Sequence, residues 1–296
     1  MRRLKILITG ANGYLSRQLL PVLSSRFELV LLDVVGASEG QFGRVHAVDL
    51  SSTDLGSIRP HFRGVDVVIH NAYHWREDLP TAVSDHWQSE LPRLSVEGYF
   101  VERTNLDMAF NVLRMALEEG VRRVVLTSSN HATDWYEILI HGGYKTCVET
   151  TELPLSDNFY GWSKSAYELL GFVFASGRLG RKLEIVSIRV GAPREIEGNK
   201  LRGDLKKYRR DLGAYISQRD LQQLYIRAAE APELDNGGGA SFQIVYGISN
   251  NSRAFLSLTS AQVALGYAPV DDSELRYSKD IAQIGLDEPP HRAGKP

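Results

Sequence analysis

Tyr160 and Lys164 stand four residues apart in Tyr160-Gly161-Trp162-Ser163-Lys164, a spacing that puts both side chains on one face of a helix. A phenol is a poor base at neutral pH, since its unperturbed pKa is about 10. A neighbouring ammonium favours the phenolate and brings it nearer the working pH, so the pair suits proton transfer to and from a hydroxyl. Taken alone, a surface tyrosine and lysine at helical spacing is the simpler reading. Ser129 shifts the balance: it sits in Thr127-Ser128-Ser129-Asn130-His131, directly beyond a predicted strand over 121–126, where its hydroxyl can orient the same substrate oxygen.

A second group of residues suits a phosphate. Leu4-Lys5-Ile6-Leu7-Ile8 reads as a buried strand and 15–23 as an amphipathic helix, joined through Thr9-Gly10-Ala11-Asn12-Gly13. Gly10 permits a turn that a side chain would obstruct, and Gly13 lets the backbone approach a pyrophosphate whose charge the helix N-terminus favours. A glycine turn by itself marks any strand-to-helix connection; its neighbours give it meaning. The next strand, 28–33, ends in Asp33, about 20 residues beyond the turn, where a carboxylate can accept hydrogen bonds from an adenosine ribose. Read alone, Asp33 is a solvated loop acid. Nothing basic follows it in Val34-Val35-Gly36, so a 2′-phosphate would meet repulsion, and NAD is favoured over NADP.

The composition bounds the partners. With 34 Lys+Arg against 36 Asp+Glu and a net charge of -2, the 296-residue chain lacks the basic excess of a nucleic-acid binder. Its 43% hydrophobic residues describe an ordinary globular protein suited to small-molecule chemistry. Cys147 is the only cysteine, which excludes an internal disulfide and a thiolate metal site and fits a reducing, cytoplasmic location. The apolar run after Arg2 and Arg3 is too short for a signal segment, and no run reaches membrane-spanning length.

Further elements must carry these groups. A short third strand over 44–50 places Asp49 and Leu50 at its end, where they border an adenine or, equally, Asp49 caps a helix begun by 51–54. A fourth strand ends in His70-Asn71-Ala72. Residues 73–100 are irregular, with Trp75, Trp87, Pro80 and Pro92, and are expected to form a flap over the site. His70, His74 and His86 lack metal-ligand spacing and read as ordinary polar histidines. Thr104-Asn105-Leu106-Asp107 has capping-box character and opens a helix over 104–119. Met108, Val112 and Met115 form a second apolar stripe on it, to be covered by a partner subunit or an intrachain neighbour.

Asp157 and Asn158 offer a cap to the helix that carries Tyr160 and Lys164. A sixth strand over 183–189 is followed by a basic segment with Arg194, Lys200, Arg202, Lys206, Lys207, Arg209 and Arg210. A solvated loop is its default reading; an anionic substrate is the other. A helix over 217–229, a strand over 241–248 and a short helix over 259–265 complete the pattern. The expected organisation is an α/β doubly wound parallel sheet. It comprises an NAD-binding region 1–190, a small substrate-binding region 191–287 interleaved with it, and a flexible tail 288–296.

Thr9-Gly10-Ala11-Asn12-Gly13, Asp33, Asp49-Leu50, Asn71-Ala72, Ser128-Ser129 and Tyr160 with Lys164, in this order, resemble the extended short-chain dehydrogenase/reductase family over the first two-thirds of the chain. Ser129-Asn130-His131 is similar to the uronate dehydrogenases within it, as are Tyr215-Ile216-Ser217-Gln218-Arg219-Asp220, Ile244-Val245-Tyr246-Gly247-Ile248-Ser249 and Leu265-Gly266-Tyr267. The resemblance implies NAD bound by Gly10, Asn12, Gly13, Tyr14, Leu15, Asp33, Asp49, Leu50, Asn71, Ala72, Asn105, Thr127 and Lys164. It implies Tyr160 as base, Lys164 lowering the phenol pKa and Ser129 positioning the reacting oxygen. Asn130 and His131 would bind neighbouring hydroxyls, and Arg210 would pair with a uronate carboxylate.

The expected reaction is oxidation of a sugar or sugar acid at the anomeric carbon to a lactone, in a homo-oligomer formed through helices 104–119 and 160–178. Ser16 replaces the family's third glycine, Trp75 stands near a small polar ligand position, and 73–100 and 133–156 look enlarged; these departures widen the substrate choice. A nucleotide-sugar epimerase or dehydratase retaining NAD is the alternative enzyme. A non-catalytic NAD(P)-sensing regulator is the alternative of another class, disfavoured by the presence of Tyr160 and Lys164.

Overall fold

The computed structural model describes residues 2–37, 40–75, 95–197, 204–234 and 237–287. Strands β1 (Lys5–Thr9), β2 (Glu28–Asp33), β3 (Val45–Ala47), β4 (Val67–His70), β5 (Arg123–Ser129), β6 (Glu184–Val190) and β7 (Phe242–Gly247) form one sheet in the order β3-β2-β1-β4-β5-β6-β7. Every pairing is parallel. Parallel strands covered on both faces need apolar residues at consecutive positions, and Ile6, Leu7, Ile8, Val67, Val68, Ile69, Val124, Val125 and Leu126 are all fully buried.

The pleat divides these residues between two layers. Ile6, Ile8, Val67 and Val125 pack under Leu19 and Leu23 of α1 (Tyr14–Arg26) and Leu221 and Leu224 of α6 (Gln218–Glu230). Leu7, Val68, Val124 and Leu126 pack under Val112 and Met115 of α2 (Gly98–Glu118) and Tyr167 and Phe174 of α4 (Phe159–Ala175). The chain winds outward in both directions from β1 and β4, so the carboxyl ends of these two strands open a crevice at the switch point. The chain beyond residue 190 adds β7 to the same sheet and sets α6 against α1.

The structure alters or settles four expectations. The helix expected from residue 104 begins at Gly98, and Thr104 Oγ1 donates to the Phe100 carbonyl (3.1 Å) inside it rather than capping an end. The stripe of Met108, Val112 and Met115 is buried by the sheet of the same chain, which leaves Phe110 of this helix exposed. No helix begins at 51–54; turns over 55–58 lead into a single 3-10 turn at Arg59–Phe62. The end of the basic segment is a helix, α5 (Leu205–Ala214), whose Tyr208, Arg210 and Leu212 are buried. Of the expected flap, 76–94 lies outside the described residues, as do Lys200, Arg202 and the tail 288–296. Among the described residues no helix is long and apolar enough to cross a membrane.

Candidate active site

Gly10 is held at φ +66°, and a Cβ there would lie 2.6 Å from the Ala72 Cα. Only glycine lets β1 and β4 end this close together. The chain then turns through a Gly13 N–H bond to the Gly10 carbonyl (3.0 Å), and Gly13 becomes the N-cap of α1. Its backbone amides face the crevice end of the sheet, an arrangement suited to an anion. Asp33 Oδ2 accepts from the Asn12 N–H (2.9 Å), which fixes the acid at the turn. Asp49 Oδ1 accepts from the Ser51 N–H (2.9 Å) and hydroxyl (2.7 Å), a local turn that replaces the expected helix cap.

A cavity of about 720 Å³ runs along these groups, lined by Gly10, Asn12, Gly13, Tyr14, Leu15, Asp33, Asp49, Leu50, Asn71 and Ala72. Its size, the helix N-terminus on its wall and the acid at the end of β2 fit a dinucleotide. The remaining expected cofactor residues lie off this lining. Asn105 anchors the loop after β4, its Oδ1 accepting from the His74 N–H (2.6 Å) and its Nδ2 donating to the His74 carbonyl (3.0 Å). Thr127 closes a buried network in which its hydroxyl donates to Asn71 Oδ1 and meets the Tyr225 hydroxyl (2.7 Å), while Asn71 Nδ2 donates to Ser16 Oγ (3.0 Å). Ser16, in place of a glycine, therefore ties α1 to β4 by a hydrogen bond.

Asn158 caps α4 by accepting from the Gly161 N–H (2.9 Å) and donates from Nδ2 to Asp134 Oδ2 (2.8 Å). Helix α4 lies hard against the chain beyond β5: a Cβ on Gly161 would fall 2.1 Å from the His131 carbonyl oxygen. This approach brings Tyr160 near enough to Ser129 for the serine hydroxyl to act on the phenol. Lys164 Nζ donates to the Thr127 carbonyl (3.0 Å) and lies over the rings of Tyr73, Tyr160 and Tyr167 at 5.3, 5.5 and 4.8 Å from their centres.

Burial pushes the Tyr160 phenol up to about 12, Ser129 pulls it back, and the charge of Glu102 pushes it further up. Burial pulls the Lys164 ammonium down to about 8, against the charges of Glu102 and Glu168. Burial also lowers His70 to about 3, which leaves a neutral ring whose Nδ1 meets Thr9 Oγ1 (2.8 Å).

Glu102 is a member of the site that sequence reasoning missed. It is buried on α2, where Oε1 accepts from the Tyr73 hydroxyl (2.5 Å) and Oε2 from Ser163 Oγ (2.5 Å) and Asn105 Nδ2 (3.4 Å). The sequence held one signal: an acid three residues before Asn105, on the inward face of an amphipathic helix. One turn beyond Lys164, Glu168 accepts from Arg189 Nε (2.9 Å) and Nη2 (2.8 Å) and from Ser128 Oγ (2.5 Å), a buried pair that locks α4 to β5 and β6.

On the substrate side, His131 Nδ1 meets Asp134 Oδ2 (3.2 Å) and its ring packs edge-on against Tyr160 with centres 5.7 Å apart. Asn130 and Arg210 are placed in a buried layer behind these residues. Oriented to satisfy both ends, the Asn130 amide donates to the Val190 carbonyl (3.1 Å) and accepts from Arg210 Nη2 (2.5 Å). Arg210 donates from Nε (3.2 Å) and Nη2 (3.2 Å) to Glu137, the first residue of α3 (Glu137–His141), and from Nη1 (3.3 Å) to Asp211. Asp211 also accepts from Arg194 (3.0 Å).

A crevice at a switch point, with half-buried Tyr160 and buried Lys164 and Ser129 nearby, is a Rossmann-type nucleotide-binding arrangement. Residues 6–191 match the model of the NAD dependent epimerase/dehydratase family, and the chain belongs to that family. An NAD-dependent glucose-6-phosphate dehydrogenase of Haloferax volcanii is 29% identical over 280 residues, covering 90% of this chain and 94% of the relative. A uronate dehydrogenase of Pseudomonas syringae pv. tomato is 27% identical over 285 residues, covering 94% and 86%. The crystal structure of uronate dehydrogenase from Agrobacterium tumefaciens has the same fold, with a TM-score of 0.71 at 21% identity over 100% of this chain and 93% of that one.

Proposed function

We propose that this chain is an NAD-dependent dehydrogenase that oxidises a cyclic sugar or sugar acid at its anomeric carbon to the lactone. The observation that carries the proposal is Tyr160 packed against Tyr73 of the dinucleotide-shaped crevice (ring centres 5.6 Å apart), with Lys164 Nζ 5.5 Å from its ring centre and Ser129 acting on its phenol. NAD, when bound, supplies the hydride acceptor. Ser129 orients the anomeric hydroxyl and Tyr160 Oη takes its proton, while the hydride leaves the same carbon and a carbonyl forms there. The alkoxide charge that develops on the oxygen is met by the Ser129 hydroxyl and the Tyr160 proton-transfer path. Lys164, held by donating to the Thr127 carbonyl, would also bind the cofactor ribose. His131, held by Asp134, faces a neighbouring sugar hydroxyl. The names and coverage of the relatives support the sugar class.

The substrate-binding region is assigned to 191–287 and the nucleotide-binding region to 1–190. A homo-oligomer through α2 and α4 accounts for Phe100, Phe110, Leu169, Phe172 and Val173, large apolar residues left exposed on these two helices. A cytoplasmic location fits the single Cys147. Turnover with free NAD across uronates, neutral aldoses and UDP-sugars tests the reading. Net NADH formation that is lost in Tyr160→Phe supports it. Isomerised UDP-sugar with retained NAD establishes the epimerase instead, and function intact in Tyr160→Phe establishes a non-catalytic role.

A further inference from the structure

The arginine expected to hold a uronate carboxylate already has a carboxylate on it. Arg210 points Nε and Nη2 at Glu137 and Nη1 at Asp211, and both partners are buried with it. The neighbouring cation, Arg194, is engaged with the second oxygen of Asp211 (3.0 Å). Two guanidinium groups and two carboxylates thus form a layer of zero net charge behind Ser129 and His131. Arg210 Nη2 also meets the Asn130 amide (2.5 Å).

From this arrangement we infer that the substrate is a neutral aldose, uncharged at the end of the ring remote from the reacting carbon, and that Glu137 is the residue that excludes uronates. The inference rests on the dehydrogenase reading above and narrows it. For a substrate carboxylate to reach Arg210 it must displace Glu137, which leaves a buried carboxylate uncompensated, and it must approach the negative charge of Asp211 as it does so. A hydroxymethyl group or a ring hydrogen meets neither penalty. Arg194 and Arg210, at the two ends of the cation-rich stretch, are thus neutralised from within.

The test compares substrates that differ only at the sixth carbon, using the full chain and free NAD. D-glucose is set against D-glucuronate and glucose 6-phosphate, and D-galactose against D-galacturonate. The neutral member of each set is expected to have the higher kcat/KM by about tenfold or more, with the difference mostly in KM. Glu137→Gln, which keeps a hydrogen-bonding oxygen for Arg210 but removes the charge, is expected to raise the uronate-to-aldose ratio by about tenfold. The wild-type ratios need no variant, so they decide the matter even if Glu137→Gln fails to fold. A uronate or a sugar phosphate preferred by the wild type overturns the inference and leaves the dehydrogenase reading standing. An unchanged ratio in folded Glu137→Gln removes Glu137 as the excluding residue. Absence of NAD reduction with every member of the panel overturns the dehydrogenase reading and this inference together.

Discussion

Replacing Glu102 by glutamine removes one buried negative charge beside the proton-transfer pair while keeping an oxygen for the Tyr73 hydroxyl and an amide for Ser163. The size of the effect follows from the geometry. The Tyr73 hydroxyl is 2.5 Å from Glu102 and its ring centre is 5.6 Å from that of Tyr160, which puts the carboxylate on the order of 8–10 Å from the phenol; at an effective dielectric constant of about 20 that separation is worth ~1.5–2 kcal/mol. Such an energy is about one pKa unit. Glu102 raises both Tyr160 and Lys164, so its removal lowers both. Because both shifts have the same sign, the rising limb of the rate against pH must move to lower pH whichever of them dominates it. The assay is NADH formation at saturating sugar and NAD across the range where activity rises with pH, in wild type and Glu102→Gln. A downward displacement of about one unit is expected. A limb that stays in place, or moves upward, in a variant with unchanged melting temperature refutes the electrostatic role given to Glu102.

Two other outcomes are expected. Glu168→Gln leaves Arg189 buried without its counter-charge and should lower stability by about 3–5 kcal/mol in denaturant unfolding; a loss under about 1 kcal/mol would show that α4 is held mainly by its apolar face. Asp33→Asn keeps the shape of the turn but replaces a charged acceptor, and should weaken NAD binding about tenfold in a fluorescence titration while narrowing the preference over NADP. Unchanged affinity for both dinucleotides would remove Asp33 from the nucleotide site.

The legible parts of this chain were those in which local pattern and final environment agree. The run Ile6-Leu7-Ile8, the glycines at 10 and 13 and the acid at 33 are all decided within one strand–turn–helix unit and its neighbour, so periodicity and turn chemistry suffice to read them. Tyr160 and Lys164 were legible for the same reason, being one turn apart on one helix.

Residues whose role is set by a partner far along the chain were not legible. Glu102 takes its meaning from Tyr73 and Ser163, Ser16 from Asn71, Glu168 from Arg189, and Glu137 from Arg210, 73 residues away. Arg210 was expected to meet a substrate carboxylate; in the structure it meets that of Glu137, which nothing local announces. The start of α2 was misplaced because Thr104 and Asp107 make a respectable capping pattern, whereas the packing of Val101 and Glu102 against the site carries the helix back to Gly98. Helix α5 was hidden by its charge: Tyr208 and Leu212, four residues apart, are its buried face, set among Lys206, Lys207, Arg209 and Arg210.

The account turns on hydride leaving the anomeric carbon as Tyr160 takes the proton. The most direct measurement uses the aldose turned over fastest, carrying deuterium only at that carbon, with the dinucleotide product analysed by mass and NMR. Transfer of the label into NADH, a slowed rate, a lactone product, and loss of all three in Tyr160→Phe are the predicted result. Unlabelled NADH, or deuterium still on the anomeric carbon of the product, would contradict it.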